Sequence, residues 1–242
     1  MLLEQLRKEV CEANRDLERH KLVLMTWGNV SGIDRDAGMI VIKPSGVPYS
    51  ELTPDNMVVL DLAGNVVEGA LSPSSDAPTH TVLYASFPKI GGITHTHSTH
   101  ATIFAQACRP IPCFGTTHAD HFYGDVPVTR LLRKPEIEGP YERNTGLVIV
   151  ERFNRLEEDQ VPAVLVANHG PFTWGKSAQA SVLNSVALEE VARMAMGTLQ
   201  LSPTQPSISN LLLDKHFLRK HGAGAYYGQK PSNRRADQSR TT

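Results

Sequence analysis

Two short apolar runs, Met57-Val58-Val59-Leu60-Asp61-Leu62 and Val66-Val67-Glu68, are separated only by Ala63-Gly64-Asn65. Apolar and β-branched segments joined by so short a turn fold back on each other, so the spacing predicts a hairpin and a sheet that is at least partly antiparallel. The rest of the chain has to supply partners for that hairpin and cover its apolar face. Leu22-Val23-Leu24-Met25-Thr26-Trp27 reads as a strand ending at Gly28-Asn29, and Ile40-Val41-Ile42-Lys43 as another ending at Pro44-Ser45-Gly46. Val126 to Thr129 and Gly146 to Val150 read as strands on either side of a charged loop from Arg133 to Arg143, and Ala163 to Ala167 as a buried strand running into Asn168-His169-Gly170-Pro171.

Helical spacing supplies the covering layers. Leu3, Leu6, Val10, Ala13 and Leu17 recur every three or four residues, which predicts an amphipathic helix over residues 2–18. Thr81 to Phe87 follows a polar turn able to cap it, and Ser98 is placed to cap a helix from Thr99 to Ala107. Ser177 to Thr198 carries a broad apolar face, Ser202 to Ser209 has a linker composition, and Leu211 to His221 is a last helix stopped by Gly222. Residues 230–242 carry no apolar pattern and are expected to be disordered, which leaves residues 1–229 as one domain.

Composition excludes several classes of function. A formal charge of −1 on 242 residues offers no basic field for nucleic acid. Cys11, Cys108 and Cys113 are too few and too irregularly spaced for a disulfide framework or a thiolate metal site. No apolar run approaches the ~18 residues of a membrane span, so a cytoplasmic protein with no membrane partner is expected. No Gly-x-Gly-x-x-Gly or Walker-type loop and no internal repeat is present.

Chemistry is concentrated in Gly91-Gly92-Ile93-Thr94-His95-Thr96-His97-Ser98. Side chains at i and i+2 of a strand point the same way, so His95 and His97 converge while Thr94 and Thr96 face the opposite layer. Two imidazoles on one face suit zinc or a neighbouring first-row ion, which asks for a third ligand. His169, at the end of an apolar strand, is the best candidate, and His100, His118 and His121 compete with it. Three turns, Gly28-Asn29, Lys43-Pro44-Ser45-Gly46 and Ser74-Ser75, offer hydroxyls, an amide and backbone N–H groups of the kind that cradle a phosphate, although each alone is an ordinary turn. Asp120 and Glu142 read by themselves as solvated or capping acids, and Tyr226 and Tyr227 as aromatics anchoring the C-terminus.

Taken in order, these motifs resemble a known family. The matching stretches are Thr26-Trp27-Gly28-Asn29-Val30-Ser31, Ile42-Lys43-Pro44-Ser45-Gly46-Val47, Pro73-Ser74-Ser75-Asp76-Ala77-Pro78-Thr79-His80, the His95-Thr96-His97 run, Gly115-Thr116-Thr117-His118-Ala119-Asp120-His121-Phe122-Tyr123-Gly124, His169-Gly170-Pro171-Phe172, Leu212-Leu213-Asp214-Lys215-His216 and Tyr226-Tyr227-Gly228-Gln229. Across roughly residues 1–229 they resemble the L-ribulose-5-phosphate 4-epimerases, a branch of the class II aldolase and adducin-head superfamily.

That resemblance implies an α/β fold, a three-layer α/β/α class II aldolase-like domain around a central, largely antiparallel sheet, assembled as a homotetramer with active sites between adjacent subunits. It implies metal ligation by His95, His97 and His169 with Asp76 beside the ion, which would be Zn²⁺, Mn²⁺ or another divalent metal. It implies a phosphate cradle of Gly28, Asn29, Ser45, Gly46, Ser74 and Ser75, with Lys43 and Thr116 lining the site. Asp120 and Tyr227 become the acid/base pair, Tyr227 coming from the neighbouring subunit, with His216 and Glu142 in support.

The implied substrate is a small phosphosugar, and its chemistry can be examined directly. In L-ribulose 5-phosphate the ketone is at C2, so the C4 hydrogen is not acidic and simple deprotonation cannot invert that centre. Cleavage between C3 and C4 followed by re-addition to the other aldehyde face can, and it calls for a Lewis acid and an acid/base on each face. The same cut made by a fuculose- or rhamnulose-1-phosphate aldolase releases both fragments. Those aldolases carry a glutamate near the metal where this chain has Asp76, and a non-catalytic adducin-like module would lack the metal histidines.

Overall fold

Alternating side-chain direction along strands buried on both faces decides which residues meet which helical layer, and it explains most of the architecture. The computed structural model describes residues 1–227, so the Gly228-Gln229 ending and the expected 230–242 tail lie outside the described residues. Seven strands form one sheet: β1 (Asn29–Asp34), β2 (Met39–Ile42), β3 (Val58–Asp61), β4 (Val66–Glu68), β5 (Gly92–His95), β6 (Ala163–Leu165) and β7 (Pro171–Gly175). Their order is β4-β3-β2-β1-β5-β7-β6, and each neighbouring pair is antiparallel. The predicted hairpin is β3 and β4.

The helices are α1 (Glu4–Arg19), α2 (Ala77–Ser86), α3 (Thr99–Gln106), α4 (Thr116–Ala119), α5 (Lys134–Glu138), α6 (Tyr141–Arg152), α7 (Ala178–Leu201) and α8 (Asn210–His221). Ile33, Ile40, Ile42, Leu60, Ile93 and Phe172 of the sheet pack with Leu83, Tyr84 and Ile149 of α2 and α6. Val30, Val41 and Val59, the alternate strand positions, pack with Val10 and Leu17 of α1 and Val182 of α7. Each such aliphatic side chain contributes about 1.5–3 kcal/mol by leaving water. A sheet apolar on both faces therefore sits between two helical layers, the implied α/β/α arrangement. Among the described residues no helix is long and apolar enough to cross a membrane.

Several expected elements differ. Leu22 to Trp27 is a turn rather than a strand, because Met25 (φ 54°) and Gly28 (φ 81°) both adopt left-handed backbone that breaks extended pairing. The strand begins one residue later, at Asn29. Gly146 to Val150 lies inside α6, whose buried positions Thr145, Gly146, Val148 and Ile149 follow helical spacing. A five-residue apolar run fits either period, and packing against α2 decides it. A Cβ on Gly146 would stand 2.7 Å from Val82 Cβ, so only glycine lets the two helices cross this closely. The charged loop thus contains α5 and the start of α6. Val126 to Thr129 forms only isolated bridges, Val126 with Ile111 and Val128 with Leu165. Strand β7 and the 29–34 strand form where the sequence carries little β signal, since Gly, Ser, Pro and Asn dilute it.

Candidate active site

Antiparallel pairing brings the start of β1, the end of β2, the end of β5 and the start of β7 to one end of the sheet, with Ser31 opposite Ile42, Asn29 opposite His95 and His95 opposite Phe172. The loops leaving that end line a cleft of about 620 Å³. Gly28, Asn29, Lys43, Ser45, Gly46, Ser74, Ser75, Asp76, His95, His97, Glu142 and His169 all border it, as do Trp27 and Tyr141, which sequence reasoning missed.

At its floor the three histidines converge. His97 lies two residues beyond the end of β5, yet its Nε2 is 3.1 Å from Nε2 of His95. Thr94 points to the other layer, its hydroxyl 2.7 Å from Ser181 of α7. His95 Nδ1 donates to the Pro171 carbonyl at 2.9 Å, which leaves Nε2 as the bare nitrogen, and the ring stacks on Phe172 at 4.1 Å between centroids. His169 arrives on the turn between β6 and β7, where Asn168 (φ 61°) is left-handed and His169 N–H bonds the Val166 carbonyl at 3.0 Å. Ligand atoms of these three residues all lie within 4.8 Å of one another, and no other such group of His, Cys, Asp or Glu occurs among the described residues.

The donor set fits a first-row divalent ion. Burial, then the neighbouring imidazoles, hold His169 down to about 3, and burial also lowers His97, so these two rings stay neutral and offer lone pairs at physiological pH. The competing histidines are engaged elsewhere. His100 Nδ1 contacts Glu189 at 2.7 Å, His118 Nε2 donates to the Gly124 carbonyl at 2.9 Å, and His121 faces Lys220 and Asp120. Glu189, not Ser98, caps α3: its carboxylate accepts the N–H groups of His100 at 2.9 Å and Ala101 at 3.0 Å. This cap comes from a residue 89 positions away from His100, so no local signal could have revealed it.

Asp76 stands beside the three-histidine group. It occupies the N-cap of α2, but its side chain makes no cap bond and instead accepts from Asn29 Nδ2 at 2.7 Å. Burial pushes this carboxyl up, but His95, His80, the Asn29 amide and His169 outweigh it, and the group lies below the usual carboxylate range. It is an anion beside the three imidazoles.

The three turns close over the other side of the cleft. Two of them are zipped together, Ser45 N–H to the Ser72 carbonyl and Ser74 N–H to the Lys43 carbonyl, both at 2.9 Å. Those two amides are therefore committed, and the cradle is left with the serine hydroxyls and the amides of Gly46 and Ser75. Gly28 is held at φ 81° with its Cβ position 2.8 Å from the His95 carbonyl, a site where a side chain would collide with backbone. Lys43 is 2% exposed, its ammonium 3.3 Å from the Pro44 carbonyl and 5.0 Å above the Tyr49 ring, with no carboxylate partner among the described residues. Burial lowers it to about 8. A buried cation lacking a counter-ion, beside hydroxyls and amides, suits a phosphate dianion.

Four of the anticipated residues are not in this cleft. Thr116 opens α4, and Asp120 at its end accepts from His216 Nδ1 at 3.1 Å and from Arg219 Nη2 at 2.6 Å, with Lys220 Nζ at 3.6 Å. Burial raises the Asp120 carboxyl, but Arg219 and His216 prevail and hold it low. Tyr227 is 60% exposed, its ring 4.6 Å from the Lys220 ammonium, and its N–H bonds the Arg219 carbonyl at 3.1 Å. Within one protomer Asp120, His216 and Tyr227 make a second cluster at the end of α4, on α8 and just beyond it, and neither they nor Thr116 line the histidine cleft. Of the residues missed, Tyr141 has its hydroxyl 3.4 Å from His169 Nδ1, and Trp27 has its ring 6.3 Å from that of His97. Tyr141 was hidden in a stretch read as loop.

Comparison with known proteins gives the family and the fold. A family model described as the class II aldolase and adducin N-terminal domain matches residues 8–196. The chain is 53% identical over 228 residues to L-ribulose-5-phosphate 4-epimerase UlaF of Salmonella paratyphi B, covering 94% of this chain and 100% of that protein, and equally to its counterpart in Salmonella paratyphi C. Among solved structures, an L-fuculose 1-phosphate aldolase superposes with TM-score 0.73 at 26% identity, covering 87% of this chain and 95% of that one. YgbL of Klebsiella pneumoniae, described as a putative aldolase/epimerase/decarboxylase, superposes with TM-score 0.70 at 26% identity over 89% of this chain and 99% of that one.

Proposed function

The chain belongs to the class II aldolase and adducin N-terminal domain family, and from that premise we propose that it interconverts L-ribulose 5-phosphate and D-xylulose 5-phosphate by inversion at C4. The observation that carries the substrate is the 53% identity to named 4-epimerases over 94% of the chain. The fuculose aldolase likeness, at 26% identity, supports the bond being cut rather than the outcome.

Residues of the cleft divide the work. Lys43, with the hydroxyls of Ser45, Ser74 and Ser75 and the amides of Gly46 and Ser75, beside the Gly28-Asn29 turn, binds the phosphate and holds the two-carbon fragment while its carbonyl turns. His95, His97 and His169, with Asp76 beside them, would hold a divalent ion, for which zinc is our choice, and the bound ion would supply Lewis-acid stabilisation of negative charge on the three-carbon fragment. Breaking C3–C4 leaves its electron pair on the dihydroxyacetone enediolate, and the proton of the C4 hydroxyl passes to a base. Glycolaldehyde phosphate then presents its other face, C3–C4 re-forms, and the new C4 alkoxide takes a proton from an acid on that side. Asp120 and Tyr227 of an adjacent subunit are assigned those two roles, with Glu142 and His216 in support and Thr116 lining the site. This requires an oligomer, proposed to be a homotetramer, acting in the cytoplasm.

The test is product identification with L-ribulose 5-phosphate and zinc or manganese. Xylulose 5-phosphate as the main product is expected. Dihydroxyacetone accumulating instead would replace the epimerase by a class II sugar-phosphate aldolase.

A further inference from the structure

A polar chain runs directly beneath the cleft, between α2 and the sheet. Ser31, His80 and Tyr84 are all 0% exposed. The Tyr84 hydroxyl is 2.8 Å from Ser31 Oγ, which is 2.7 Å from His80 Nδ1. Counting protons gives this chain a direction. Ser31 Oγ is the side-chain partner of the buried Tyr84 hydroxyl among the described residues, so Tyr84 donates to it. Ser31 then turns its own hydrogen to its remaining neighbour, Nδ1 of His80. An accepting Nδ1 leaves the neutral ring with its hydrogen on Nε2.

That Nε2 has no partner among the described residues, although it is buried, and neither has Oδ1 of Asn29. Both atoms belong to side chains that neighbour Asp76. His80 is one turn along α2 from Asp76, with His80 N–H bonded to the Asp76 carbonyl at 3.1 Å, so the two side chains lie on the same helix face. Asn29 already holds Asp76 Oδ2 through its Nδ2. A donor, an acceptor and a carboxylate in one buried neighbourhood match the two to four partners that an internal water takes.

We propose that His80 is a positioning residue for the metal cleft: the Tyr84–Ser31–His80 chain fixes its Nε2 as a donor, which holds Asp76 against the three histidines through one water shared with Asn29 Oδ1. His80 touches neither the substrate nor the ion. Its role is to keep the Asp76–Asn29 pair in one orientation, as partners behind metal ligands do elsewhere. The inference rests on reading the cleft as a metal site and is independent of which sugar phosphate is turned over.

Long-range ¹H–¹⁵N correlation spectra of the wild-type protein test the direction of the chain without any substitution. The Nε2–H tautomer of His80 is expected, and an Nδ1–H tautomer overturns the proposal. Titration of metal-free protein with Co²⁺ tests the consequence. His80→Phe should weaken Co²⁺ binding ~10–100-fold, alter the visible absorption of the bound ion and lower kcat with little change in KM. Unchanged Co²⁺ affinity and spectrum overturn the proposal. If His80→Phe fails to fold, Tyr84→Phe keeps the packing and removes only the ordering proton. It should then bind Co²⁺ less tightly and lose the single His80 tautomer, whereas wild-type behaviour on both counts overturns the proposal. Wild-type protein that binds Co²⁺ but does not convert L-ribulose 5-phosphate would refute the proposed reaction and leave this inference standing.

Discussion

Lys43 shows how burial sets chemistry at the scale of one residue. Its ammonium lies in the cleft with no carboxylate beside it among the described residues, and desolvation brings it to about 8. Below that pH it is charged and attracts a phosphate dianion; as pH rises through it the charge is lost and binding weakens. KM for the sugar phosphate should therefore climb above pH about 8. Lys43→Met should raise KM ~10–100-fold at neutral pH, the worth of one charge-assisted hydrogen bond, and abolish that rise. Initial rates against pH check both. The type and motif position of Lys43 were legible in sequence, but its missing counter-ion was not, because ion pairing depends on what distant segments bring.

At the scale of elements, α2 and α6 make the closest contact in the layer that carries Asp76, His80, Tyr141 and Glu142. Gly146 makes it possible. In Gly146→Ala the new Cβ would meet Val82 Cβ at 2.7 Å and Val82 Cγ1 at 2.9 Å, so the helices must part. We expect about 1–3 kcal/mol of destabilisation, measured by urea unfolding, although alanine favours helix over glycine. Val82→Ala should not rescue it, because the clashing Cβ remains. Sequence periodicity placed α1, α7 and α8 well, since long amphipathic segments repeat their signal. It failed at Leu22 to Trp27 and Gly146 to Val150, where five or six apolar residues fit a strand, a helix or a buried turn and only their neighbours decide.

For the whole molecule, the cleft holds the histidines and the phosphate turns, while Asp120, His216 and Tyr227 sit in a separate cluster on α4 and α8. Neither half is a complete acid/base and metal site in one protomer. If adjacent subunits join them, His97→Asn and Tyr227→Phe should each have little activity alone, the first through lost metal and the second with metal retained. Co-expressed, they should form mixed oligomers in which some sites have both halves intact, and activity should return. No recovery would place the complete site within one subunit.

By itself the sequence determined the local facts: the β3–β4 hairpin, the long helices and their stops, the side chains at His95, His97 and His169, and the three polar turns. Each depends on residues within a few positions, where backbone period and side-chain chemistry act directly. The tertiary structure alone decided the order β4-β3-β2-β1-β5-β7-β6, the Glu189 cap, the commitment of the Ser45 and Ser74 amides, the entry of Tyr141 into the cleft and the pairing of Asp120 with α8. These join residues far apart in the chain, so they follow from which strands pair and which faces are buried together, and no local window contains that choice.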